Sequence, residues 1–180
     1  MSNKGFSHIG LSTRDLDTTR EFYENVLGFR AVRCDIIKIA DGGQIRHIFF
    51  DVGRDQLLAF MEPQGVADIP TDYDAGINDG LGVPGSFYHF AFEAGSVAAL
   101  EAKRQELLDK GLVVTDIVDH EWAKSIYFKD PNGISLEYCC LVRDIGTTDD
   151  VTMQVRVERK AREMRERWKR LSEGSVVATS

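Results

Sequence analysis

The chain has 180 residues, 43% of them hydrophobic, a formal net charge of -7 and three cysteines. This composition supports one self-sufficient core, and the acidic balance disfavours non-specific binding to nucleic acid. Cys139 and Cys140 are adjacent and Cys34 is left over, which argues against a disulfide framework; no apolar run approaches the roughly 20 residues of a membrane span.

The opening MSNKGFSHIG lacks the apolar core of a signal peptide, so the expectation is a soluble, cytoplasmic protein with no membrane partner. FSHIGL reads as a first strand. DLDTTREFYENVLGF follows as a helix, with Asp15 or Thr13 as N-cap, an apolar stripe of Leu16, Phe22, Tyr23, Val26 and Leu27, and Gly28 as terminator. Three segments rich in β-branched and aromatic residues come next, RAVRCDIIKIA, QIRHIFFDV and QLLAFME, each expected to be a strand.

Residues 63 to 86, PQGVADIPTDYDAGINDGLGVPGS, form a long glycine-containing connection with no phosphate-loop spacing, expected to be a lid or pocket wall. The pattern then restarts. FYHFAF at 87 to 92 matches FSHIGL at 6 to 11, in the order Phe, any, His, apolar, small, apolar. The helix SVAALEAKRQELLDKGL begins at Ser96, carries Val97, Leu100, Leu107 and Leu108, and ends at Gly111. VVTDIVD, KSIYFKD and ISLEYCC complete a second βαβββ unit.

The tail VTMQVRVERKAREMRERWKRL places Met153, Val157, Ala161, Met164, Trp168 and Leu171 on one helical stripe. Eight basic residues stand against three acidic ones between Arg156 and Arg170. This amphipathic helix packs on the chain's own sheet or forms an interface in a homodimer.

The last hairpin contains a charge where a hydrophobe is expected. In SIYFKDPNGISLEY, Pro131-Asn132-Gly133 suits a three-residue loop with Gly in the left-handed conformation. Asp130 then pairs with Ile134, Phe128 with Leu136, Tyr127 with Glu137 and Ile126 with Tyr138. Ser125, Tyr127, Lys129, Ser135, Glu137 and Cys139 share a polar face, and the first unit has Ala59 where the second has Glu137. His8 and His89 occupy the same position on the first strand of each unit. Pseudo-twofold packing of such units brings His8, His89 and Glu137 together as two imidazoles and a carboxylate. That set suits a first-row divalent metal and offsets the cost of burying the glutamate.

The FxH strands and the DPNGxxxE hairpin resemble the vicinal oxygen chelate superfamily, which groups glyoxalase I, bleomycin-resistance proteins, epimerases and type I extradiol dioxygenases. The resemblance covers residues 5 to about 143 and implies an α+β fold: paired βαβββ modules forming a cupped mixed sheet around a metal, here with an added C-terminal helix. It divides the chain into one domain over 1 to 145 (module 1 at about 5 to 63, the linker over 63 to 86, module 2 at about 87 to 143) and an extension over 146 to 180. The implied metal ligands are His8, His89 and Glu137. The fourth ligand of the glyoxalase and epimerase branches falls at Ala59, and Glu62 is displaced onto the opposite face, which leaves the three-ligand pattern of extradiol dioxygenases.

Tyr127 matches the tyrosine that those enzymes carry beside the glutamate ligand. His120 lies near their second histidine and is the candidate acid/base, because their usual acid/base histidine has no counterpart between His47 and His89. His47, Phe49 and Phe87 are expected to line the substrate pocket. The implied activity is Fe(II)-dependent ring cleavage of a catechol-like aromatic with two adjacent oxygens, with dioxygen as co-substrate. The alternatives are a lyase, isomerase or epimerase using Zn(II), Ni(II), Co(II) or Mn(II), and a small-molecule binding protein. Family members of this size often form homodimers, some with sites shared between chains.

Overall fold

The computed structural model describes residues 5–145 and Glu166. Its packing separates a unit over Met1–Val142 from a segment over Arg143–Ser180. The helix expected over 151 to 171 lies outside the described residues apart from Glu166.

The first module runs β1 (His8–Ser12), α1 (Leu16–Glu21), β2 (Arg30–Lys38), β3 (Gln44–Asp51) and β4 (Leu57–Gln64). After a short α2 (Ile77–Gly80), the second runs β5 (His89–Glu93), α3 (Val97–Asp109), β6 (Val118–Asp119), β7 (Ala123–Lys129) and β8 (Ser135–Leu141). Each module makes one four-stranded mixed sheet, in the orders β1-β4-β3-β2 and β5-β8-β7-β6. The βαβββ repeat expected from the sequence is therefore present twice. No helix among the described residues is long and apolar enough to cross a membrane.

Local chemistry sets the helix ends. Asp15 caps α1 by accepting from the Thr18 amide at 2.9 Å, and Ser96 caps α3 by accepting from the Ala99 amide at 3.1 Å. The first helix differs from a regular one: over Phe22–Val26 it widens into a π-helical turn, with the Leu27 amide donating to the Phe22 carbonyl at 3.0 Å. Widening by one residue buries Phe22 and Tyr23 together, and Tyr23 stacks on Phe50 at 5.3 Å.

Alternation along the strands buries one face of each sheet. Leu11, Ile48, Phe50, Leu58 and Phe60 of module 1 and Ile126, Phe128, Leu136 and Tyr138 of module 2 belong to one continuous core. Phe29 meets Phe92 edge-on across the module boundary at 4.9 Å.

Polar contacts tie the β7–β8 turn to module 1. Buried Asp130 accepts from the Ile134 and Asn132 amides at 2.8 and 2.9 Å, and from the Tyr23 hydroxyl at 3.2 Å. Asn132 accepts from Thr13 Oγ1 at 2.7 Å and donates to Thr19 Oγ1 at 3.1 Å; both threonines are fully buried. The hairpin register is the expected one, with Tyr127 opposite Glu137 and Gly133 at φ 81°.

One expected strand is cut short. VVTDIVD contributes only Val118 and Asp119 to the sheet, because Arg104 Nε donates to the Thr115 carbonyl at 2.7 Å. The Tyr127 amide bonds the Thr115 hydroxyl instead, at 3.0 Å, and of the backbone pairing at this point only the bond from the Thr115 amide to the Tyr127 carbonyl, at 3.0 Å, remains.

Asp130→Ala orphans several buried donors at once and is expected to destabilise the protein by about 3 kcal/mol in denaturant unfolding. Burial pushes the Asp130 carboxyl above the ordinary aspartate value. A raised folded-state value contributes stability that is complete at low pH and lost as pH rises through it. Relative to Asp130→Asn, the wild type should therefore lose unfolding free energy as pH rises above the ordinary aspartate value, and a flat difference would contradict this assignment.

Candidate functional site

The outer face of module 2 is built by strand alternation. Parallel pairing sets His89 beside Ser135 and Ala91 beside Glu137, and antiparallel pairing sets Tyr127 on the other side of Glu137. The carboxylate stands between a tyrosine and a residue with almost no side chain, with space on the Ala91 side. Glu137 is only 5% exposed. Its Oε2 lies 3.0 Å from His89 Nε2.

The other ring nitrogen of His89, Nδ1, lies 3.2 Å from the Ser86 carbonyl. A carbonyl only accepts, so Nδ1 carries a proton and Nε2 of a neutral ring points a lone pair at a carboxylate. The contact requires a further proton, on the ring or on the carboxyl, or a cation bound by both atoms. Two donors each about 2.1 Å from one cation and at right angles to each other lie roughly 3.0 Å apart, the spacing observed. His89 and Glu137 thus fit two adjacent ligands of a divalent metal.

Tyr127 sits next to this pair. Its hydroxyl lies 2.9 Å from His120 Nε2, and its ring meets His89 edge-on at 6.2 Å. Burial raises the Tyr127 phenol, and the charge of Glu137 adds to the shift, so the phenol keeps its proton at neutral pH. His120 is held on the β6–β7 turn, where its amide donates to the Ala123 carbonyl at 2.8 Å and its ring packs on Trp122.

His8 occupies the matching place in module 1, with Nδ1 3.0 Å from Ser7 Oγ and its ring edge against Phe49 at 5.9 Å. His47 packs on the same Phe49 at 4.2 Å, and burial lowers its imidazole, favouring the neutral form. Ala59 pairs with Gly10 and Phe49 on this face. Glu62 is turned to the opposite face, paired with Arg46 at 3.1 Å. Phe87 is half-exposed where the linker enters β5.

Apart from Phe87, the residues singled out in the sequence therefore fall into two groups. His89, Glu137, Tyr127 and His120 converge on module 2; His8, His47 and Phe49 gather on module 1. Among the described residues, no three His, Cys, Asp or Glu side chains form one metal-sized cluster. A cleft of about 440 Å³ between the modules is lined by His89 and by Phe6 and Ile9 of the first module.

One polar residue near the site carried no sequence signal. Asn78, inside the linker, is 1% exposed and hydrogen-bonded to the backbone just before His89. Ser125, on the polar face expected from the hairpin register, is fully buried.

Residues 5–138 match the family model described as the Glyoxalase/Bleomycin resistance protein/Dioxygenase superfamily. No curated protein matches the chain. Among solved structures, an integron cassette protein from the mobile metagenome of the Halifax Harbour sewage outfall is 27% identical, with a TM-score of 0.53 over 77% of this chain and 100% of its own. A lactoylglutathione lyase from Agrobacterium tumefaciens is 22% identical, with a TM-score of 0.53 over 78% of this chain and 97% of its own. An antibiotic binding protein, TnmS3, from Streptomyces sp. CB03234 is 19% identical, with a TM-score of 0.54 over 78% of this chain and 98% of its own. The last two likenesses are of fold alone. With the family model spanning both modules, and two βαβββ sheets beneath it, the chain belongs to the Glyoxalase/Bleomycin resistance protein/Dioxygenase superfamily.

Proposed function

We propose that this chain is a metal-dependent oxidoreductase, an extradiol dioxygenase that cleaves a catechol-like ring, with one Fe(II) held by His8, His89 and Glu137. The observation that carries this reading is the 3.0 Å contact between His89 Nε2 and the buried Glu137 carboxylate, beside the linked Tyr127 and His120. Ala59 adds no further donor in module 1, which leaves a three-ligand set with open positions. When bound, the iron acidifies the hydroxyls of a chelating substrate and supplies electrons for dioxygen.

The chain's own groups do the rest. The protonated Tyr127 phenol is placed to hydrogen-bond a substrate oxygen next to Glu137. His120, bonded to the same phenol, accepts a proton passed through it and returns it later. Phe49, His47 and Phe87 offer apolar and aromatic surface to a ring.

The third ligand sets the assembly. His8 does not cluster with the His89–Glu137 pair within the described residues of one chain, so we assign the complete site to a homodimer in which one copy's His8 meets the other's pair. Mixing His8→Ala with Glu137→Ala tests this. Mixed dimers hold one intact site, so unfolding the two variants together and refolding them should restore roughly a quarter of wild-type turnover. No restoration would contradict the shared site.

The reaction itself is tested with Fe(II)-loaded protein on a panel of catechols. Oxygen uptake with a yellow ring-fission product is expected, and Tyr127→Phe should lower kcat by about 100-fold or more with little change in KM. Turnover that needs neither iron nor oxygen would assign the glyoxalase-type lyase or isomerase chemistry instead. Tight ligand binding without turnover would assign a binding protein.

A further inference from the structure

The linker before β5 does more than join the modules. Asn78, nearly fully buried, makes three side-chain hydrogen bonds to the backbone leading into His89. Nδ2 donates to the Tyr88 carbonyl at 2.6 Å and to the Gly85 carbonyl at 3.2 Å, while Oδ1 accepts from the Tyr88 amide at 2.9 Å. Between those two anchored residues lies Ser86, whose carbonyl meets His89 Nδ1.

The linker is also fixed to the hairpin that carries Glu137. Asp79 Oδ2 lies 3.0 Å from Lys129 Nζ on β7, and a Cβ on Gly76 would come within 3.0 Å of the Asn132 carbonyl. Both members of the His89–Glu137 pair are thus referenced to one local frame. Module 1 shows no such frame among the described residues, where His8 Nδ1 meets the hydroxyl of its neighbour Ser7.

We propose that Asn78 is a positioning residue: by clamping residues 85 to 88 it holds the Ser86 carbonyl against His89 Nδ1 and so aims Nε2 at Glu137. This rests on the metal reading given above. Asn is required because Asp would aim a carboxylate at two carbonyls, and Ala would remove all three bonds to the backbone at Gly85 and Tyr88. A carbonyl behind a ligating imidazole fixes its tautomer and ring orientation, and loss of such support weakens metal binding by roughly tenfold or more.

The test compares the wild type, Asn78→Ala and Ser96→Ala, the last removing the α3 N-cap as a control for general loosening. Co(II) is titrated into metal-free protein and followed by visible absorption. In parallel, diethyl pyrocarbonate labelling of the metal-free chains is read by peptide mass spectrometry as the ratio of His89 to His8. Asn78→Ala should bind Co(II) roughly tenfold or more weakly, with a ratio raised several-fold, and Ser96→Ala should change neither. An unchanged ratio in Asn78→Ala overturns the proposal whatever the affinity does. Unchanged affinity where the wild type binds also overturns it, as does an equal effect of Ser96→Ala. A raised ratio in a protein whose wild type takes up no Co(II) leaves the clamp standing and removes the metal reading. If Asn78→Ala does not fold, Asn78→Ser carries the same comparison.

Discussion

A carboxylate that is 5% exposed, in the middle of a strand and 3.0 Å from an imidazole nitrogen, is the constraint around which module 2 is arranged. Desolvating such a charge costs several kcal/mol unless something positive or strongly hydrogen-bonding compensates. His89 alone meets that need only with a second ring proton, because its other nitrogen already faces the Ser86 carbonyl. A divalent cation meets it without that proton. The same atoms that make Glu137 expensive as a packed residue make it suited to be a ligand.

The fold holds this arrangement from both sides. The β7–β8 turn is tied to module 1 by Asp130 and Asn132, which bond Tyr23, Thr13 and Thr19, so the strand carrying Glu137 is positioned by the other module. Tyr127 is set by a second device: Arg104 takes the Thr115 carbonyl, and the Thr115 hydroxyl takes the Tyr127 amide. The short β6 is the visible cost of that exchange. Its turn in turn delivers His120 to the Tyr127 hydroxyl.

The parts legible in the sequence were those governed by local rules. Pro131-Asn132-Gly133 fixes a turn, the turn fixes the register, and the register puts Tyr127 opposite Glu137. The two FxH strands are matched by composition and fall at the same place in their sheets, each at the start of an edge strand paired in parallel with the last strand of its module. What the sequence left open depended on long-range packing. The meeting of His8 with His89 turns on how the two modules pack, and among the described residues no three His, Cys, Asp or Glu side chains cluster. The π-helical turn, the truncated β6 and the Asn78 clamp each involve one polar or packing choice between residues distant in sequence or inside a loop without periodicity.

One chain therefore carries two unequal faces: one with a carboxylate, an imidazole and a hydrogen-bonded Tyr–His pair, and one with imidazoles and an aromatic ring. Divergence of the repeat at Ala59 and Glu137 made the halves complementary instead of equivalent. The most direct test of the central claim is elemental analysis of protein purified without added metal, compared with Glu137→Ala and His89→Ala. About one divalent first-row ion per chain in the wild type, and almost none in either variant, is the expected result. Equal metal content in all three proteins would contradict the assignment of Glu137 and His89 as ligands.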